Sequence, residues 1–305
     1  MKNTYKRTKY ACYTANLSMS VVAALSPLLF LTFRTVYGIS FSMLGALGLL
    51  KFCTQLAVDL IFSFFSHRFN ISKAVKLTPV LTVAGLLIYA IFPYVFPQAV
   101  YMGLVLGTVI FSASGGLAEV LISPVIAEIP ARHPEREMSK LHSVYAWGVV
   151  GVVIVSTLFL QLFGKENWQI LALIWTIVPL CSSILYLISP IPELKTPDKP
   201  SNVLSLVRGK RFLICFFCIL FGGASECTMS QWSSSYLEQA LNIPKIWGDV
   251  FGVAMFAVML GLGRTLYSKF GRNIHRVLVI SAAGAVICYL CAAISTNPLV
   301  GLIAC

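Results

Sequence analysis

Stretches of about 20 mostly apolar residues, the length a helix needs to cross a bilayer, recur along nearly the whole of this chain and leave only short polar segments between them. They read as spans over Cys12 to Val36, Ser42 to Phe65, Val75 to Phe96, Ala99 to Ala127, Ser143 to Phe163 and Trp168 to Ile188. Further spans cover Phe212 to Leu237, Ile246 to Tyr267 and Val277 to Ile294, and a tenth opens near Pro298. In lipid the backbone must satisfy its own hydrogen bonds, which restricts membrane-crossing elements to helices and closed barrels. Runs of this length are helical, and the expected fold class is an all-α polytopic membrane protein. Charged residues make up 11% of the sequence, against about 25% in a soluble domain.

The formal charge of +12 would point a soluble protein toward nucleic acid. Here its placement explains it. With the N-terminus in the cytoplasm, 18 of the 23 basic residues fall in cytoplasmic segments, among them Lys2, Lys6, Arg7, Lys9, Arg68, Lys73, Arg132, Arg136, Lys195, Lys210, Arg272 and Arg276. The outer side receives Arg34, Lys165 and Lys245. This is the positive-inside bias of a membrane protein, and it predicts a cell-membrane location with a cytoplasmic N-terminus and no nucleic-acid partner.

The longest polar connection, Pro190 to Arg211, carries four prolines among charged residues and reads as a linker. It divides the sequence into a six-helix half over 1–189, a linker over 190–211 and a second half over 212–305. Two loops support an internal repeat. Ser66-His67-Arg68-Phe69-Asn70-Ile71-Ser72-Lys73 follows the second span, and Ser268-Lys269-Phe270-Gly271-Arg272-Asn273-Ile274-His275-Arg276 follows the eighth. Each has a basic residue, Phe, then Asn or Gly, the residues that most readily enter a left-handed turn. The expectation is a tight basic turn at Asn70 and at Gly271, in two parallel repeats.

Charged and polar groups inside the spans are few, and such groups face a cavity or a partner. Lys51, Gln55 and Asp59 are spaced i, i+4, i+8 on one helical face, with Lys51 near mid-membrane. Lys51 and Gln55 read as cavity residues; Asp59 reads as either a cavity residue or half of a gating ion pair. In the fourth span Ser112, Gly116, Glu119 and Ser123 share a face, where small residues allow close helix approach. A carboxyl far from cations prefers its neutral form, as a proton-coupling group must. Glu119 therefore reads as a coupling or substrate group, or as a static partner of Lys51. Glu226, Gln231 and Trp232 in the seventh span would suit a polyhydroxylated ligand, with acceptors for hydroxyls and a flat ring face; an interhelical hydrogen-bond cluster is the other reading. Tyr145 and Trp147 in the fifth span are cavity-lining or lipid-facing. Arg264 and the turn residues Arg68, Gly271 and Arg272 read as structural or gating.

Six spans, a cytoplasmic linker and a second set of spans with a repeated basic turn resemble the major facilitator superfamily. His67 and Asn70 stand where that family's turn has Asp and Gly, while the second copy keeps Gly271 and Arg272. Gly115-Gly116-Leu117-Ala118-Glu119 with Pro124, and Gly223-Ala224-Ser225-Glu226 through Gln231-Trp232, are similar to the sugar-transporting, fucose-permease-like branch. The resemblance implies the major facilitator fold, with two pseudo-repeated six-helix halves rocking around a central site. It also implies a small polar solute such as a sugar, and protons as coupling ion through Glu119; the first span lacks the acidic residue that branch carries there. Members have twelve spans, so the second half is expected to be incomplete, with the truncation at the C-terminal end.

No nucleotide loop, HExxH or GxSxG is present, and no catalytic, metal or cofactor site is expected. Cys215 and Cys218, and Cys288 and Cys291, form CxxC pairs inside apolar runs without a completing pair or histidine, and read as buried small hydrophobes. Two alternatives to a sugar transporter remain: an efflux transporter of lipophilic compounds with the same fold, and an inactive truncated membrane protein.

Overall fold

Helices follow the apolar runs and in places extend past them into the polar flanks. The computed structural model describes residues 5–194, 208–243 and 255–305. Its helices are α1 (Lys6–Tyr37), α2 (Phe41–Phe65), α3 (Ile71–Val95), α4 (Val100–Glu128), α5 (Pro134–Phe163) and α6 (Trp168–Leu187), then α7 (Lys210–Gln239), α8 (Met255–Phe270), α9 (Ile274–Ile294) and α10 (Pro298–Ala304). The opening of the eighth expected span, before Met255, lies outside the described residues. Among the described residues, α1 to α6 and α9 are long and apolar enough to cross a membrane. The protein is a multi-pass membrane protein. It divides into two compact units, Met1–Pro200 and Ser201–Cys305.

In the first unit α1 packs on α5 and α6, while α4 packs on α2 and α3, and α3 also packs on α6. Exchanging α1, α2, α3 with α4, α5, α6 maps these pairings onto themselves. Since α1 and α4 cross in opposite directions, the unit is an inverted three-helix repeat of the kind transporters use.

The helix caps correct the expected turn. Asn70 has φ −77° and Gly271 is not in the left-handed region. Asn70 is instead the N-cap of α3, its side chain accepting from the Lys73 N–H at 3.0 Å. Asn273 caps α9 in the same way, accepting from the Arg276 N–H at 3.3 Å. What recurs is Asn-Ile-x-basic at a helix start, two residues later in the second copy than the Phe-based register implies. A left-handed glycine does occur at Gly38 (φ 68°), which closes α1 by donating its N–H to the Arg34 carbonyl at 3.0 Å.

α5 begins at Pro134, well before the apolar run at Ser143. Proline suits the first helical position, and Glu135 and Glu137 in the first turn meet the positive end of the helix dipole. Glu137 ties this extension to α1: Lys9 Nζ lies 3.1 Å from its carboxylate and the Tyr13 hydroxyl donates to it at 3.2 Å. Higher in the same interface, Asn16 Nδ2 donates to the Leu141 carbonyl at 2.7 Å and Ser20 Oγ to the Tyr145 carbonyl at 2.9 Å. Two small polar residues on α1 thus meet successive turns of α5.

Toward the far face, where α1 ends and α6 starts, Phe33, Tyr89, Phe111 and Trp168 form an edge-to-face aromatic cluster with centroids 4.9–5.9 Å apart. The buried Trp168 donates its indole N–H to the Tyr37 hydroxyl at 3.0 Å, and Gln169 Nε2 donates to the same oxygen at 2.9 Å. Tyr37→Phe leaves both donors without that acceptor. It is expected to cost about 1–3 kcal/mol, read as a lowered Tm of the purified protein in detergent.

In the second unit α7 and α9 are joined by tyrosines. Tyr236 OH donates to the Ala292 carbonyl at 2.6 Å and Tyr289 OH to the Ser225 carbonyl at 2.7 Å. The four CxxC cysteines, read from the sequence as buried, are exposed on this unit. Apolar runs in lipid do not need burial in protein, and α9 has no buried residue at all.

Candidate functional site

The polar face of α2 meets α4 at two adjacent glycines. A Cβ on Gly116 would stand 3.0 Å from the Gln55 carbonyl oxygen and 3.1 Å from Asp59 Oδ1; one on Gly115 would stand 3.0 Å from Gln55 Nε2. The missing side chains are what let Gln55 and Asp59 lie against α4. Asp59 Oδ1 is buried there without a hydrogen-bond partner, as are Thr108 Oγ1 and Ser112 Oγ on α4 itself. Glu119 is exposed on the surface of the unit and is the charged neighbour of Asp59. Thr108, Ser112, Gly115/Gly116 and Glu119 follow one helical stripe of α4. Ser112 and Glu119 were legible in that stripe; Thr108 was not, because a threonine in a span ordinarily bonds its own helix.

Neither expected ion pair is present among the described residues. Among the described residues Asp59 has no cation within ion-pair distance, and Lys51 has no carboxylate. Lys51 Nζ instead donates to the carbonyls of Ala23 at 3.3 Å and Val22 at 3.5 Å on α1. The reason lies four residues along, because Pro27 sits inside α1 and has no N–H to give the Ala23 carbonyl. The ammonium therefore serves an acceptor that proline leaves open. Lys51→Met is expected to destabilise the protein by about 1–3 kcal/mol, and by much less in a Pro27→Ala background, where the backbone N–H is restored. A double-mutant cycle on thermal stability reads the difference; equal costs in both backgrounds would refute the link.

Together Lys51 and Gln55 supply donors, and Asp59 and Glu119 supply acceptors, over two turns of helix that rise about 12 Å. With the unsatisfied hydroxyls of Thr108 and Ser112 they form a polar strip along α2 and α4, suited chemically to a small polar molecule.

The other expected site residues lie on other elements. Tyr145 is half-buried in α5 and Trp147 is exposed one side over. Arg68 is exposed, its guanidinium 5.5 Å from the Phe65 ring centroid, and Arg272 is exposed in the turn before α9. Gly271 donates its N–H to the Tyr267 carbonyl at 2.8 Å as α8 ends. Within the second unit Arg264 pairs with Glu226 at 3.8 Å, joining α8 to α7. The side chains of Gln231 and Trp232 lie outside the described ones.

None of the curated proteins matches this sequence. Solved structures do. The fucose:proton symporter FucP of E. coli is similar over 99% of this protein and 80% of that one, at 16% identity and a TM-score of 0.74. The xylose transporter XylE of E. coli, in a partially occluded inward-open conformation, is similar over 99% and 80%, at 15% identity and a TM-score of 0.61. At these identities the likeness is one of fold. The family model of the Major Facilitator Superfamily matches residues 11–305, and the protein belongs to that superfamily.

Proposed function

We propose that this protein is a secondary active transporter that moves a small polar, sugar-type solute by alternating access, coupled to protons through Glu119. The polar strip carries the reading. Lys51, Gln55, Asp59 and Glu119 lie along α2 and α4, whose remaining surface is overwhelmingly apolar, and Gly115 and Gly116 hold the two helices close at that place. Ionisable groups at membrane depth mark ion and substrate paths. Superfamily membership and the folds of two sugar:proton symporters support the same conclusion. The basic bias of the loops supports a cell-membrane location with the N-terminus in the cytoplasm.

Proteoliposomes test it. Labelled sugars are expected to accumulate above equilibrium when a pH gradient is imposed and only to equilibrate without one. Accumulation that ignores the gradient would remove the proton coupling. Uptake of lipophilic cations in place of sugars would favour the efflux reading.

A further inference from the structure

We infer that the transported solute carries one carboxylate, and that this group docks on the Lys51 ammonium. The inference rests on the transport reading above and narrows its solute to an acidic one, such as a sugar acid.

Three observations lead there. First, Lys51 is the cation of the polar strip, and among the described residues it has no counter-charge. The nearest carboxyls along the strip, Asp59 on its own helix and Glu119 on α4, lie about two turns closer to the N-terminal face, some 12 Å along the axis. Secondly, the ammonium is under-used. It has three N–H donors, and its two carbonyl contacts, at 3.3 and 3.5 Å, are long beside the usual ~2.9 Å. The Pro27-freed carbonyl parks the charge without neutralising it. Thirdly, hydroxyl partners stand at the same level. α2 and α4 run in the same direction and meet at Gln55 and Gly115/Gly116, so one turn back along each lie Lys51 and Ser112. Ser112 Oγ and, a turn further, Thr108 Oγ1 are buried without partners.

Charge balance selects the anion. A carboxylate brings one negative charge to one ammonium, whereas a phosphate monoester brings about −1.5 to −2 and is best held by the guanidinium fork that Lys51 lacks. A neutral sugar would leave the ammonium uncompensated within the membrane. On binding, the carboxylate replaces the two long carbonyl contacts, and Gln55 and the α4 hydroxyls are left to hydrogen-bond the solute's own hydroxyls.

The test is a ligand panel on the purified full-length protein in detergent: glucuronate, galacturonate and gluconate against glucose, galactose and glucose 6-phosphate, read by thermal stabilisation and by competition. The acids are expected to bind at least about tenfold more tightly than their neutral parents. That preference should persist in Lys51→Arg and vanish in Lys51→Met. The Pro27→Ala/Lys51→Met pair, in which Ala23 regains a backbone partner, separates loss of charge from loss of fold. Equal or tighter binding of the neutral sugars overturns the inference and leaves the transport reading standing. Preference for the phosphate ester, or an acid preference that survives the double variant, also overturns it. No binding of either class removes the inference and the sugar-type solute together.

Discussion

Proteoliposomes bearing Glu119→Gln are expected to lose proton-driven accumulation by at least about tenfold, equivalent to some 1.4 kcal/mol or more in the coupled step, while solute counterflow persists. Glutamine keeps the length and hydrogen-bonding capacity of glutamate and removes only the exchangeable proton. The Glu119 side chain is exposed on the unit, as the proposed exchange requires, while its neighbour Asp59 is held against Gly116. No cation pairs with either carboxyl among the described residues. Glu119 is the more exposed of the two, and Asp59 keeps one oxygen buried against α4, so Asp59→Asn should weaken coupling less than Glu119→Gln. Glu119→Asp, which keeps the proton on a shorter arm, should restore part of it. Wild-type accumulation by Glu119→Gln would sink the assignment, and loss of counterflow as well would make Glu119 a solute-binding group.

The span pattern was legible because lipid imposes a length and a hydropathy that no other constraint blurs. Trp168 and Phe163 mark helix ends in the structure as in the sequence. The start of α5 was not legible, since Glu135, Arg136, Glu137 and Lys140 break the apolar run although Pro134 and two first-turn carboxylates favour a helix. The repeated turn is visible in the sequence, but Asn70 and Asn273 act through their side chains as N-caps, which the shared Asn-Ile-x-basic pattern carries. At the site, the i, i+4, i+8 spacing brought Lys51, Gln55 and Asp59 onto one face, because that follows from one helix alone. The partner of Lys51 did not follow from spacing. It is a backbone carbonyl on another helix, exposed by Pro27, and side-chain patterns are silent about carbonyls. The Glu226–Arg264 pair was hidden for a related reason, since two residues 38 positions apart meet only once α7 and α8 are packed.

Glycine-to-alanine substitutions are expected to change sign across the first unit, with the largest losses at Gly85 and Gly107. An alanine Cβ at Gly107 would stand 2.6 Å from Tyr89 Cβ and 2.8 Å from its backbone N and Cα; at Gly85 it would stand 2.6 Å from the Phe111 backbone N. These obstacles are backbone and the root of a side chain, so neither rotates away. α3 and α4 must separate, taking with them the Thr82–Ser114 hydroxyl contact at 2.7 Å and the Tyr89–Phe111 ring pair. Overpacking of this kind costs about 1–3 kcal/mol per site, and Gly85 and Gly107 together should cost nearly their sum or prevent folding. Gly103 belongs to a gentler class, because its obstacle includes the Phe92 ring, which can turn. Gly151 in α5 has nothing within 4 Å of the added methyl, and there alanine should stabilise by about 0.5–1 kcal/mol through helix propensity. Thermal unfolding of the four single variants in one detergent decides the matter. If Gly107→Ala and Gly151→Ala shift Tm alike, the α3–α4 contact is not held by the absence of a side chain, and the inverted repeat loses the close pairing that joins its two halves.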